Sequence, residues 1–237
     1  STEGAFDEAI RHSITKMSHL HFVAAEAYRQ RVIQLGEQPE RVFLVGGLGI
    51  DNIKRLKLLD RAALEASLDF KLGPKNLLIT FHPVTLEIAT AASQMEELLA
   101  ALAELRETQL IFTLPNADTD GRTLIKMVGQ FVAQHPSARA YTSLGQLRYL
   151  SCVAQVDGVV GNSSSGLAEV PSFKKGTINI GDRQRGRLQA ESVINCEPTR
   201  ESIAAALAQL YSTDFQSALR QVINPYGEDR KSTRLNS

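Results

Sequence analysis

Gly158-Val159-Val160-Gly161-Asn162-Ser163-Ser164-Ser165-Gly166-Leu167-Ala168-Glu169-Val170 decides the fold of this chain. A short apolar run stops at a glycine, polar side chains follow, and a helical period starts near Ser165. A strand handed over to a helix through a polar turn is the building unit of a parallel α/β sheet. Free backbone N–H groups at a helix N-terminus, with the helix dipole, favour a bound phosphate. Glu169 lies four residues after Ser165, one helical turn in, where a carboxylate can bond a ribose diol. A Ser-capped helix with a solvated Glu accounts for the same residues. The motif is neither a Walker A loop nor a GxGxxG turn, which disfavours ATP hydrolysis and a standard dinucleotide site.

The alternation continues outward. Strands are expected at 76–81, 109–114, 138–142, 176–180 and 192–196. Helices are expected between them at 86–106, 122–134 and 145–154, with a short one at 165–173. Two helices close the pattern at 199–211 and 213–222, with Thr199 and Thr213 as caps. Strands that read as continuous apolar runs imply a sheet covered on both faces. Residues 1–53 form a separate block: helix 6–16, strand 21–24, helix 26–35 and strand 41–45, followed by Gly46-Gly47-Leu48-Gly49. The stretch 51–75 reads as charged and helical, broken by Gly73-Pro74, and a domain junction is placed at 50–75.

Composition narrows the function. The chain has 237 residues, 43% hydrophobic and 22% charged, with 26 basic residues balancing 26 acidic ones. That is too apolar and too neutral for a disordered chain. The balance argues against a general nucleic-acid binder, which needs a basic surplus. No apolar run approaches the roughly 20 residues of a membrane span, and no signal peptide is legible. Cys152 and Cys196 are too few for a disulfide scaffold and lack metal-ligand spacing, so a cytoplasmic protein is expected. The absence of an initiator Met and the polar, basic, aperiodic stretch 228–237 suggest a fragment with a disordered or non-native tail.

In open α/β sheets, ligands bind outside the carboxyl ends of strands. His82 follows the strand at 76–81, and Pro83 holds the backbone extended there. Its imidazole can shuttle a proton or, protonated, hold a phosphate; bonding to a neighbouring loop is the plainer alternative. Asn116, after the strand at 109–114, could bond a sugar or nucleotide, whereas Asp118 and Asp120 read as helix caps. Arg183, Arg185 and Arg187 follow the strand at 176–180, where guanidinium forks suit phosphate; a basic surface loop is the alternative, more so for Arg187 than for Arg183. Asp7 and Glu8, with His19 and His21, form either an acid/base cluster or a weak metal pattern lacking a firm third ligand. Asp7 and Arg11 also read as an exposed i, i+4 ion pair.

Several motifs in order resemble the UDP-N-acetylglucosamine 2-epimerases, most closely the hydrolysing branch of bacterial sialic-acid pathways. They are the run from Glu3 to Lys16, Ser18-His19-Leu20-His21, Phe81-His82-Pro83-Val84-Thr85, Leu114-Pro115-Asn116-Ala117-Asp118, Gly161 to Gly166, Ile178 to Gln184, and Asn224-Pro225-Tyr226-Gly227. The resemblance implies two Rossmann-like domains facing across a cleft, the glycosyltransferase-B arrangement. Residues 1–53 would end the N-terminal domain, 54–75 connect, and 76–227 form the UDP-binding C-terminal domain.

The implied reaction removes the proton at sugar C2, expels UDP from C1 and hydrates the resulting 2-acetamidoglucal. It needs no metal or organic cofactor. By resemblance Asp7 is a catalytic carboxylate, Glu8 a weaker candidate beside it, and His19 and His21 lie near the reacting sugar. His82 lies near the diphosphate, Ser163 and Ser164 bind phosphate, Glu169 the ribose, Arg183 the UDP, and Asn116 the uridine side. A further catalytic carboxylate is expected upstream of Ser1, so these 237 residues alone are expected to bind UDP weakly without turnover and to risk aggregation. A homodimer is the family-level expectation for the full-length enzyme. Rival readings are the non-hydrolysing epimerase, the hydrolysing reaction on a diacetamido-trideoxy sugar nucleotide, a glycosyltransferase of the same architecture, and a nucleotide-sugar sensor.

Overall fold

The computed structural model describes residues 6–83, 88–115 and 119–227. Its larger part is a six-stranded parallel sheet. The strands are β3 (Lys75–Thr80), β4 (Thr108–Thr113), β5 (Ala138–Tyr141), β6 (Gly158–Gly161), β7 (Gly176–Ile180) and β8 (Val193–Cys196). They lie in the order β5-β4-β3-β6-β7-β8, and each neighbouring pair is parallel. This is the Rossmann order, in which the chain builds outward from β3 on one side and then returns to build outward on the other. The reversal leaves a crevice between the ends of β3 and β6, and the expected His82 and Ser163 sit at those two strand ends.

The apolar runs make this sheet because their side chains sort onto two faces with period two. Leu77, Ile79 and Phe81 enter one core with Leu110, Phe112, Val160 and Ile178. Leu78, Ile111 and Val159 enter the other. The first core is roofed by α5 (Ile88–Ala103), α6 (Thr119–Gln134) and α9 (Arg200–Leu210), through Met95, Leu98, Leu124 and Leu207. The second is roofed by α4 (Arg61–Leu68) and α7 (Gly145–Gln155), through Leu64, Leu68, Cys152 and Val153.

The stretch 51–75 departs from the expected continuous helix. It holds α3 (Leu48–Arg55) and α4, separated because Asp60 caps α4, its side chain accepting from Ala63 N–H at 2.8 Å. Left-handed Asp69 then stops α4. Leu64, Leu68 and Leu72 are buried under the large sheet, so this part of the expected connection packs within the larger unit. Near the end of the chain, Thr199 caps α9 as expected. Ser212, not Thr213, caps α10 (Thr213–Ala218), which gives way to a 3-10 turn at Leu219–Gln221. The stretch 228–237, expected as a tail, lies outside the described residues.

The smaller part pairs β1 (His21–Val23) with β2 (Val42–Leu44) in parallel, flanked by α1 (Phe6–Met17) and α2 (Glu26–Gln34). It meets the larger unit through Asn224-Pro225-Tyr226-Gly227. The Gly47 N–H donates to the Tyr226 carbonyl at 2.9 Å, and the Tyr226 and Tyr28 hydroxyls are 3.1 Å apart. Among the described residues no helix is long and apolar enough to cross a membrane.

Candidate functional site

The crevice is built around Asn162, which is 1% exposed. Its side-chain Oδ1 accepts from the His82 N–H and its Nδ2 donates to the His82 carbonyl, both at 2.8 Å. Its own N–H donates to Thr80 O at 3.2 Å. Its carbonyl accepts from Arg183 Nη1 at 3.0 Å and from Gln184 Nε2 at 2.7 Å. One buried residue thus ties together the loops that follow β3, β6 and β7. Gly161 permits the approach: its φ is +141°, and a Cβ there would stand 2.0 Å from Thr80 O.

The hydroxyl turn follows. Ser164 occupies the N-cap position of α8 (Ser165–Ala168), but its side chain makes no capping bond. The Tyr149 hydroxyl donates to Ser165 Oγ at 2.8 Å. Burial pushes the Tyr149 phenol up to about 12, so at neutral pH it stays protonated and keeps donating. Ser163 Oγ accepts a long bond from Ser165 N–H at 3.4 Å. Arg183 is half-buried, and burial followed by the neighbouring Arg187 charge lowers its pKa; it remains a cation at neutral pH.

A cleft of about 440 Å³ opens here, lined by Gly49, His82, Thr113, Leu114, Thr142, Ser143, Leu144, Gly145, Gln146, Tyr149, Leu150 and Glu169. Glu169 is half-buried, and among the described residues nothing hydrogen-bonds or pairs with its carboxylate. The smaller unit closes in from α3, where a Cβ on Gly49 would meet Glu169 Oε1 at 2.8 Å. A hydroxyl-rich turn, a guanidinium and a carboxylate without a partner near one switch point are the donor and acceptor types that a phosphorylated sugar or nucleotide can use. A second recess, of about 420 Å³, is lined by Asn179, Asp182, Arg185, Gln189, Asn195 and Glu197; of the candidate residues it takes in Arg185 and none of those at the crevice.

The structure brings His82, Ser163, Ser164, Glu169 and Arg183 to the ends of β3, β6 and β7. It separates the other group. Glu8 lies in the first turn of α1, whereas His19 and His21 follow its last turn. Twelve residues of helix put about 18 Å between the two ends, so Glu8 and the two histidines do not form one cluster. His21 is 7% exposed, with its Nε2 3.2 Å from Glu37 Oε2, while Lys16 Nζ lies 2.6 Å from Glu37 Oε1. His19 is exposed. Among the described residues no three His, Cys, Asp or Glu side chains stand close enough to hold a metal ion. Asn116, Val84, Thr85 and the Asp7 side chain lie outside the described residues.

Sequence reasoning missed Asn162 as the central node, Tyr149 as the donor to Ser165, and the 142–146 segment as a cleft wall. Asn162 carried a visible signal, an amide directly after a strand. Tyr149 carried none, because inside a helical period it reads as a packing residue.

A family model described as UDP-N-acetylglucosamine 2-epimerase matches residues 1–237. The chain is 41% identical over 216 residues to a GDP/UDP-N,N'-diacetylbacillosamine 2-epimerase (hydrolyzing) from Campylobacter jejuni, covering 91% of this chain and 56% of that one. It is 40% identical over 222 residues to the polysialic acid biosynthesis protein P7 of Escherichia coli, covering 93% and 56%. It therefore spans about half the length of these curated relatives. A crystal structure of UDP-GlcNAc 2-epimerase from Neisseria meningitidis bound to UDP-GlcNAc superposes with a TM-score of 0.71 at 15% identity, covering 99% of this chain and 64% of that one, a likeness of fold.

Proposed function

Because the chain belongs to the UDP-N-acetylglucosamine 2-epimerase family, we propose that its cleft binds the UDP part of a nucleotide sugar and that, within a protein of its relatives' length, it works as a hydrolysing 2-epimerase. The observation that carries this reading is the unpartnered Glu169 carboxylate sharing one cleft with His82, beside the hydroxyl turn of Ser163 and Ser164. A ribose diol offers two O–H donors to such a carboxylate. The serines and Arg183 offer donors to the diphosphate.

In the proposed reaction a carboxylate takes the proton from C2 of N-acetylglucosamine. The C2–H electron pair becomes the C1=C2 bond, and the C1–O bond breaks toward UDP. Water then adds its oxygen at C1, and a proton returns to C2 from the other face, giving free N-acetylmannosamine and UDP. Charge develops on the departing diphosphate, and the donors at the ends of β3, β6 and β7 are placed to stabilise it. Asp7 is the carboxylate proposed for the reacting carbons, with Glu8 beside it. His19 and His21 are not assigned a step. Asn116 is proposed on the uridine side. The setting proposed is the cytoplasm, consistent with unbonded Cys152 and Cys196.

The test is the reaction of a protein of the relatives' length with UDP-N-acetylglucosamine in deuterated water. Free N-acetylmannosamine carrying deuterium at C2 is the expected product. UDP-N-acetylmannosamine would place the protein in the non-hydrolysing branch, and product without C2 deuterium would overturn the elimination route. The name of the Campylobacter relative favours a second substrate, a diacetamido-trideoxy sugar nucleotide, which belongs in the same assay.

A further inference from the structure

The loop after β7 carries three arginines, and the proposed function uses only Arg183. Arg187 has its own peculiarities. Two consecutive turns fold the chain back on itself: Arg185 N–H donates to Asp182 O at 2.9 Å, and Arg187 N–H to Gln184 O at 3.3 Å, with Gly186 at φ +78° between them. The doubled-back loop leaves Arg187 half-buried, four residues from Arg183. Its Nε is buried and has no hydrogen-bond partner. Among the described residues no carboxylate pairs with it. Burial first, and the Arg187 charge after it, lower the Arg183 pKa. Two neighbouring guanidiniums repel each other, and a half-buried donor left unmade is costly. A dianion between them relieves both terms.

The next residue is held from both sides of the molecule. Tyr28, on α2 of the smaller unit, accepts from the Leu188 N–H at 3.3 Å, and the Tyr226 hydroxyl donates to the Leu188 carbonyl at 3.0 Å. Both backbone polar groups of Leu188 are thereby fixed by phenols that also lie 3.1 Å from each other.

We infer that Arg187 is a second diphosphate-binding guanidinium, and that Tyr28 and Tyr226 are positioning residues that set it through Leu188. This rests on the reading of the cleft as a UDP site. It makes diphosphate binding depend on the smaller unit, because Tyr28 belongs to that unit and Arg187 to the larger one.

The test is UDP binding by calorimetry and uridine binding by ligand-observed NMR, with the 237-residue chain unmodified and carrying Arg187→Gln, Arg187→Lys or Tyr28→Phe. Arg187→Gln is expected to weaken UDP roughly tenfold, the size of one charge-assisted hydrogen bond, and to leave uridine binding and the melting temperature unchanged. Arg187→Lys recovers part of the loss. Tyr28→Phe weakens UDP by a smaller factor and adds nothing when combined with Arg187→Gln. Unchanged UDP affinity in Arg187→Gln, or equal losses of UDP and uridine, would overturn the inference while leaving the nucleotide site intact. Should the unmodified chain bind no UDP, the reading of the cleft fails and this inference falls with it.

Discussion

Glu169 and Asn162 sit seven residues apart and do opposite work. Glu169 supports nothing, since among the described residues its carboxylate has no partner. Glu169→Gln is therefore expected to leave the urea midpoint unmoved and to lower UDP affinity in calorimetry. Asn162 holds the crevice together. Asn162→Ala strands the His82 N–H and carbonyl, each bonded at 2.8 Å, and is expected to cost about 2–4 kcal/mol in urea denaturation as well as UDP binding. The serine turn and Glu169 were legible as residue types in the right order. The distinction between a residue that waits for a ligand and one that binds the protein together was not, because it depends on partners 80 residues away in sequence.

Among the elements, β6 is the one that tolerates least. Gly161 ends it at φ +141°, and a Cβ would stand 2.0 Å from the Thr80 carbonyl oxygen of β3. Backbone cannot yield there as a side chain would. Gly161→Ala is expected to be severely destabilising, by more than about 3 kcal/mol, and circular dichroism melts should show it. The caps are ordinary by comparison: Asp60→Ala removes the bond to Ala63 N–H and is expected to cost about 1 kcal/mol of unfolding free energy. Apolar runs and helical periods located every strand of the large sheet, because burial on both faces leaves a strong signature. The split between α3 and α4 was missed because charged and apolar residues continue across 56–60 and read as one helical run. The shift from Thr213 to Ser212 at α10 is a choice between adjacent hydroxyls that periodicity does not rank.

Over the whole molecule, the smaller unit leaves a broad apolar surface. Ile10, Ile14 and Met17 on α1 are 48%, 53% and 75% exposed, and Phe22 and Phe43 stack at 5.4 Å with exposures of 56% and 36%. Such a patch drives association. Sedimentation of the 237-residue chain is expected to show mass rising with concentration, and Met17→Lys with Phe22→Ser to suppress it without loss of secondary structure. The Lys16–Glu37–His21 cluster in the same unit has a pH signature. Lys16 first, and His21 after it, hold the Glu37 carboxyl below its ordinary 4.5. A depressed carboxylate pKa contributes above the ordinary value and is lost as pH falls through the folded one. NMR should show the Lys16–Glu37 contact intact at neutral pH and released in acid; release on raising the pH instead would contradict the assignment.

Fold class and most of the candidate site could be read from the linear chain, since period-two apolar runs and polar strand ends are local features that do not wait for folding. The strand order β5-β4-β3-β6-β7-β8 could not, because it depends on which side of β3 each crossover packs. That order alone sets His82 beside Asn162 and opens the cleft. It likewise took three-dimensional packing to bring Glu37 to His21 and to lay Tyr28 against Leu188, since such contacts arise where distant segments compete for the same buried space.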